Sequence, residues 1–374
     1  MLAMLRHSRS YIKKIEPGNQ RSSCKMSSIQ KPLIFVTAAS SLVGYAIVYQ
    51  LLQAGYPVRG SARGKKLEYL KKALSNHPQF EAVEIADVAF GDYSQIFRGV
   101  GAIIHTAAPV IGMADKELAF RTAIEGTKHV LEEAEKAGIS RFVMTSSIVS
   151  FHYTVGPYGP NDWNPITLEK ARETGDPYDV YFAEKKYADL AILDFVKTHP
   201  HFDITMICPP FIYGPSPPGY EEFMSEPDPA PLGSNTHIYA LIGGKNCEIP
   251  AFPGYADLGD VARAHMLALH SIHQSAVSDR KIKRLAFASP NPSSWREALK
   301  YIAEERPKLK DRLTSPDKVP VLEEHYVKGV EFERLEEVLG FKRSEFKTWK
   351  ETVLESVDSF LKIEEGWRSR GLEF

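Results

Sequence analysis

The sequence has little cysteine, no long hydrophobic run and almost no net charge. Its 374 residues include three cysteines, Cys24, Cys208 and Cys247, which are too widely spaced for the paired motifs of a zinc or redox site. A sparse, odd number of cysteines favours a reducing compartment. No apolar run approaches the ~18 residues of a membrane span, and a formal net charge of −1 gives no general attraction to nucleic acid or anionic membranes. These features predict a cytoplasmic globular protein with no metal, no nucleic-acid partner and no membrane span.

The first 25 residues differ in composition from the rest of the chain. They contain six lysines and arginines and a single acid, Glu16. This composition is typical of a mitochondrial transit peptide. A disordered tail and a translation start at Met26 are the alternatives. Residues 1–30 are therefore set apart as a basic N-terminal extension.

From Pro32 onward, short β-rich runs alternate with helical periodicity. The predicted strands are 33–37, 58–62, 80–85, 102–106, 141–145, 204–207 and 284–288, and the predicted helices are 42–54, 65–74, 117–137 and 181–197. This alternation predicts the α/β class, with a Rossmann-like, doubly wound parallel sheet. We expect the Rossmann domain at 31–208 plus about 282–290. A smaller, mainly helical C-terminal substrate lobe is expected at 209–281 and 291–374.

The first strand leads into the first helix where a dinucleotide pyrophosphate binds in such sheets. Most of the usual glycines are absent: Ala38 occupies the tight turn, Ser41 the point of phosphate approach, and Gly44 alone remains. If φ at Ala38 is positive, its Cβ costs roughly 1–2 kcal/mol. The Ser41 hydroxyl can partly compensate by bonding to phosphate. The cofactor contacts predicted here are Thr37, Ser41, Leu42, Val43 and Gly44.

The end of the second strand is basic. It carries Arg59, Arg63, Lys65 and Lys66 without an acid. An NAD enzyme usually places Asp or Glu here for the ribose 2′-hydroxyl, whereas cations suit the 2′-phosphate of NADP. A solvated basic helix start is the alternative. We therefore predict NADP(H) rather than NAD(H). Asp87, after the third strand, is assigned to the adenine amino group or to a turn cap.

Tyr181 and Lys185 lie four residues apart on a predicted helix, so their side chains project from one face. Reduction of a carbonyl by hydride needs a proton donor, and a phenol of pKa ~10 serves better beside a cation. Ser146 and Ser147 close the fifth strand, where ligands of open α/β sheets bind. A serine there can hydrogen-bond the substrate carbonyl.

Six segments carry a resemblance to a known family: 105–109, 145–147, 162–165, 181–185, 209–215 and 260–265. From about Lys31 onward the chain resembles the extended short-chain dehydrogenases/reductases of the NAD-dependent epimerase/dehydratase type. The similarity is to the branch of plant dihydroflavonol reductases, cinnamoyl-CoA reductases and fungal aldehyde/ketone reductases. It implies a Rossmann fold and transfer of the pro-S hydride.

The resemblance also implies roles for single residues. Ser147, Tyr181 and Lys185 match the catalytic serine, acid/base and activating lysine, and Arg63 the 2′-phosphate ligand. His152 matches a polar substrate contact, with an ordinary loop histidine as the alternative. The further cofactor contacts are Asp87, Val88, Ala107, Ala108, Pro109, Tyr181, Lys185, Pro210 and Phe211. The substrate cleft is expected to include Pro109, Val110, His152, Phe211, Tyr213 and Tyr220.

The predicted function is NADP(H)-dependent reduction of an apolar, moderately sized aldehyde or ketone, or oxidation of the matching secondary alcohol. The alternatives are a 3β-hydroxysteroid-type dehydrogenase and a sugar-nucleotide epimerase or dehydratase. An alternative of another class is a cofactor-binding sensor or scaffold, because the glycine turn is degraded. The protein is expected to act as a monomer or homodimer on a small molecule.

Overall fold

The computed structural model describes residues 31–109, 111–112, 115–152, 158–159, 161–243, 249–251, 254–271, 282–321 and 327–373. The basic extension, Val110, Cys24 and Cys247 lie outside these ranges. Residues 31–374 form one compact unit.

Seven parallel strands form the main sheet. They are β1 (Leu33–Val36), β2 (Val58–Ala62), β3 (Phe80–Glu84), β4 (Val100–His105), β5 (Arg141–Thr145), β6 (Asp203–Cys208) and β9 (Ile282–Ala286). Their order is β3-β2-β1-β4-β5-β6-β9. The order reverses between β1 and β4, and such a switch point opens a ligand crevice beyond the carboxyl ends of the strands. The predicted α/β class and parallel sheet are confirmed.

Helices cover the sheet and build the C-terminal part of the chain. They are α1 (Leu42–Gln53), α2 (Lys65–Ala73), α3 (Lys116–Phe120), α4 (Gly126–Lys136), α5 (Leu168–Thr174), α6 (Pro177–Thr198), α7 (Thr236–Leu241), α8 (Leu258–Ala268), α9 (Trp295–Glu305), α10 (Phe332–Leu339) and α11 (Trp349–Ser369). A π-helical turn, Arg121–Glu125, joins α3 to α4 in place of the single helix predicted over 117–137. None of the described helices is long and apolar enough to span a bilayer.

The buried side chains form two main apolar clusters. One surrounds the seven-stranded sheet and includes the buried Cys208. The other joins Tyr213, Trp295, Trp349 and Trp367 to residues of α7 and α9. A separate parallel pair, β7 (Phe211–Tyr213) and β8 (Tyr255–Asp257), borders this second cluster. The domain boundaries given from the sequence remain a prediction.

Candidate active site

The turn after β1 has the left-handed backbone conformation that usually requires glycine, although an alanine occupies the position. Ala38 has a φ of 48°, the one positive value among the described non-glycine residues. The turn is held from β2, because the Ala38 N–H donates to Ser61 Oγ (3.2 Å) and the Ala39 N–H to the Ser61 carbonyl (2.8 Å). The strain foreseen for Ala38 is therefore present.

Ser41 and Gly44 shape the start of α1. The Ser41 hydroxyl donates to the Ala38 carbonyl (2.8 Å) and accepts from the Gly44 N–H (3.1 Å), so it caps the helix. A Cβ at Gly44 would lie 2.4 Å from the Ala38 carbonyl oxygen, which excludes larger residues. Within the described residues, no acceptor faces the N–H groups of Leu42 and Val43. These two donors at a helix N-terminus suit an anionic group.

Thr37 connects the turn to the end of β4. Its hydroxyl oxygen accepts from the N–H groups of Thr106 (2.9 Å) and Ala107 (3.1 Å), and it shares a hydrogen bond with His105 Nδ1 at 3.1 Å. Burial, with the charge of Lys185, lowers the pKa of His105 to about 3, so the ring is neutral. Ala107, Ala108 and Pro109 are half-buried beside this junction.

The basic end of β2 faces solvent. Arg63, Lys65 and Lys66 are exposed, and the described residues offer Arg63 neither an ion pair nor a hydrogen bond. An acid that the sequence alone did not place here comes from β3: Glu84 accepts a hydrogen bond from the Gly64 N–H (3.3 Å). The end of β2 is therefore an exposed cationic site with one carboxylate at its margin.

Asp87 has local partners. Its carboxylate accepts from the Ala89 N–H (2.9 Å) and lies 3.7 Å from Arg121. This is the turn cap named as its alternative role, although 39% of the side chain stays accessible. The neighbouring Val88 is half-buried.

Ser147 follows β5 and begins a 3-10 turn, Ile148–Ser150. Its Oγ accepts from the Val149 N–H (3.3 Å), and its side chain is nearly buried. The backbone around it is anchored to the β6 end, because Ser146 N–H donates to the Ile207 carbonyl (2.8 Å) and Ile148 N–H to that of Pro209 (3.0 Å).

Helix α6 carries Tyr181 and Lys185. It begins at Pro177 because Asp176 caps it, accepting from the N–H groups of Tyr178 and Asp179. Lys185 is buried, with its Nζ 5.8 Å from the centroid of the half-buried Tyr181 ring. The helix packs against the 3-10 turn of Ser147, so the serine turn and the Tyr181 helix are neighbours.

Three charged residues behind this site were missed from the sequence. Glu184 is buried beside Lys185, and burial raises the pKa of its carboxyl to about 8 against the opposing effect of Lys185. Asp189 and Arg284 form a buried ion pair whose Nε and Oδ2 atoms are 3.4 Å apart. The Lys185-to-Asp189 spacing of four residues could have suggested that Asp189 shares the helix face. No sequence pattern near Arg284 indicates that this residue, which lies on β9, pairs with Asp189.

The three predicted substrate residues differ in exposure. His152 is exposed just beyond the serine turn. Tyr213 is buried with its hydroxyl 3.0 Å from His237 Nδ1, and Tyr220 is buried with its hydroxyl donating to the Pro231 carbonyl (2.8 Å). These positions favour packing roles for the two tyrosines. Pro210 and Phe211 are half-buried at the start of β7, next to the serine turn's Pro209 anchor.

Two cavities lie near or beyond this edge. A cavity of about 110 Å³ is bordered by Tyr181, Glu184 and Lys116, between α3 and α6. A larger one of about 750 Å³ lies between α1, the loop 215–218 and α11, and none of the predicted site residues lines it. The larger cavity is therefore separate from the predicted site residues, whereas the smaller one includes Tyr181 in its lining.

A doubly wound sheet with a serine turn facing a Tyr-Lys helix defines a Rossmann-type oxidoreductase. The chain belongs to the NAD dependent epimerase/dehydratase family, whose model matches residues 34–228. The predicted family and enzyme class are confirmed.

Curated relatives and solved structures share most of the chain. An oxidoreductase of Schizosaccharomyces pombe is 34% identical over 254 residues, covering 64% of this chain and 74% of the relative. The NADPH-dependent methylglyoxal reductase of Saccharomyces cerevisiae is 26% identical over 357 residues, and the match covers 88% of this chain and 98% of the relative. The crystal structure of yeast methylglyoxal/isovaleraldehyde reductase complexed with NADPH matches with a TM-score of 0.71 at 25% identity, covering 89% and 99% of the two chains.

Proposed function

We propose that the protein uses NADPH to reduce an aldehyde or ketone to the alcohol, with Tyr181 as the proton donor. The observation that carries this proposal is the placement of Tyr181 and Lys185 on the helix that packs against the Ser147 turn. The comparisons confirm the predicted NADP(H) dependence and carbonyl reduction, since the relatives include the NADPH-dependent methylglyoxal reductase of Saccharomyces cerevisiae and a ketoreductase of Aspergillus fumigatus.

The described residues fit this cofactor. The unpaired N–H groups of Leu42 and Val43 suit the pyrophosphate, and the exposed Arg63 suits a 2′-phosphate, which a guanidinium binds by two hydrogen bonds. Ala107 and Pro109, on the loop after β4, and Pro210 and Phe211, at the start of β7, are the proposed contacts of the nicotinamide half. Asp87 and Val88 are proposed near the adenine.

The chemistry of the chain's own residues is proton transfer. Bound NADPH supplies the hydride. The Tyr181 hydroxyl donates a proton to the oxygen that gains negative charge, and the buried ammonium of Lys185 stabilises the phenolate that remains. The Ser147 hydroxyl donates to the same oxygen and aligns it. Alcohol oxidation uses these groups in reverse.

The proposed substrate is apolar and of moderate size. The half-buried Pro109 and Phe211 are proposed to give the substrate an apolar surface, and the exposed His152 a polar contact. We further propose a monomer or homodimer acting in the cytoplasm, with the mitochondrion as the alternative that the basic extension favours.

The test is NADPH consumption with a panel that includes methylglyoxal and isovaleraldehyde. Wild-type protein is expected to turn over at least one member. Tyr181→Phe is expected to lower kcat by about 10²-fold or more, since general acid catalysis contributes about 10²–10⁴-fold. Tyr178→Phe, an exposed tyrosine on the same helix, is the matched control and should keep wild-type kcat. NADPH binding without any turnover would favour the sensor alternative.

A further inference from the structure

A buried ion pair lies directly behind the serine turn. The side chains of Asp189 on α6 and Arg284 on β9 are 0% and 2% exposed. Burying two opposite charges costs desolvation energy that their attraction often fails to recover, so such a pair is weak support for stability alone. Its hydrogen bonds show what it holds in place.

Each member of the pair is hydrogen-bonded to a serine close to Ser147 in the chain, one before it and one after it. The Ser146 hydroxyl donates to the Asp189 carboxylate, at 2.6 and 2.8 Å from its two oxygens. Arg284 Nη2 donates to Ser150 Oγ (2.8 Å), and the Ser150 hydroxyl donates in turn to the Ser147 carbonyl (2.9 Å). One buried charge pair thus reaches Ser147 from both sides.

The Arg284 guanidinium is itself fixed in orientation. It lies between the rings of Phe151 and Trp163, 3.5 and 3.7 Å from their centroids, and its Nη1 donates to the Asp162 carbonyl (2.6 Å). A planar group stacked on both faces and bonded at its edge keeps one orientation, which a lysine ammonium cannot reproduce.

We propose that the Asp189–Arg284 pair is a positioning device for Ser147 and sets the alignment of its hydroxyl with Tyr181. The inference rests on the proposed function. Because Tyr181, Lys185 and Asp189 recur at four-residue spacing on α6, the same helix that carries the proton donor also fixes the serine that holds the carbonyl oxygen. The pair therefore acts through Ser147 and touches neither substrate nor cofactor.

The size of the effect is limited by the backbone. The main chain at Ser146 and Ile148 is already bonded to the β6 end, so losing one side-chain hydrogen bond should misalign Ser147 without releasing the turn. A neutral hydrogen bond such as that of Ser150 to the Ser147 carbonyl is worth about 1 kcal/mol, or roughly fivefold in a rate, and one to a charged group such as Asp189 about 2 kcal/mol, or roughly 30-fold.

The test removes the links and leaves the ion pair in place. Ser146→Ala and Ser150→Ala should each lower kcat by about 5- to 30-fold, while KM and the Kd for NADPH stay near wild type. Ser356→Ala is the matched control, since this serine is equally buried and donates to the Thr352 carbonyl, in α11. A wild-type kcat in both test variants would overturn the proposal.

A double-mutant cycle separates positioning from general damage. In a Ser147→Ala background, adding Ser150→Ala should change kcat by less than about twofold, because the residue it acts through is gone. A loss as large as in the wild-type background would overturn the proposal by showing that Ser150 acts through the fold. Arg284→Lys should reproduce the kcat loss with NADPH binding retained.

Failure of this inference is distinguishable from failure of the proposed function. Wild-type protein that turns over no carbonyl would overturn both. Wild-type turnover that is abolished by Tyr181→Phe but unchanged by the serine variants would overturn the positioning role alone.

Discussion

At the scale of single residues, the turn after β1 shows how the fold tolerates a missing glycine. Ala38 keeps a left-handed backbone because Ser61 holds its N–H and that of Ala39, while Ser41 donates to its carbonyl. The sequence indicated that this position would be strained if φ were positive, and it is. The sequence did not indicate that the Ser41 hydroxyl caps α1, because the cap depends on the turn geometry.

The strain at Ala38 is testable by restoring glycine. A non-glycine residue in the left-handed region lowers the free energy of unfolding by about 1–2 kcal/mol. Replacing it with glycine removes this strain, but the greater entropy of the unfolded chain lowers the free energy of unfolding by about 0.4–1 kcal/mol. We expect Ala38→Gly to raise the Tm by about 1–3 °C, measured by thermal unfolding. Ser41→Ala, which removes the cap, is the matched comparison and should lower the Tm. A lower Tm for Ala38→Gly would contradict the strain.

At the scale of elements, α6 gathers the groups that the site needs. Its predicted start at 181 was late by one turn, although Asp176 followed by Pro177 is a recognised start signal. The sequence did predict that Tyr181 and Lys185 lie on the same face of this helix, because four residues make about one helical turn. The burial of Glu184 was not predictable from the sequence, because it depends on the elements that pack against α6.

Glu184 makes the stability of the molecule depend on pH. Its pKa is about 8 in the folded protein and near 4.5 in the unfolded chain. Between these values the unfolded chain loses the proton while the folded protein keeps it, so this group lowers stability as pH rises from about 4.5 to about 8. We expect the Tm of the wild type to fall relative to that of Glu184→Gln across this range. Parallel curves of Tm against pH would contradict the burial of an ionisable carboxyl.

At the scale of the whole molecule, the sequence predicted which segments form strands but not which distant residues come into contact. The strands around the switch point follow from local β-rich runs, and the parallel sheet follows from their alternation with helices. Arg284 reaches the site because β9 pairs with β6 in a register that places it opposite Met206. Asp189 and Ser150 are 95 and 134 residues away in the chain, and no local pattern encodes that contact. The burial of Tyr213 and Tyr220 likewise depends on tertiary packing.

The most direct measurement is transfer of a labelled hydride. Wild-type protein would be given a carbonyl and NADPH or NADH carrying deuterium at the pro-S position of nicotinamide C4, and the alcohol would be analysed by mass spectrometry. We expect deuterium in the alcohol, transferred faster from NADPH than from NADH, with this preference lost in Arg63→Glu. Bound NADPH that passes no deuterium to any carbonyl in the panel would contradict the proposed hydride transfer.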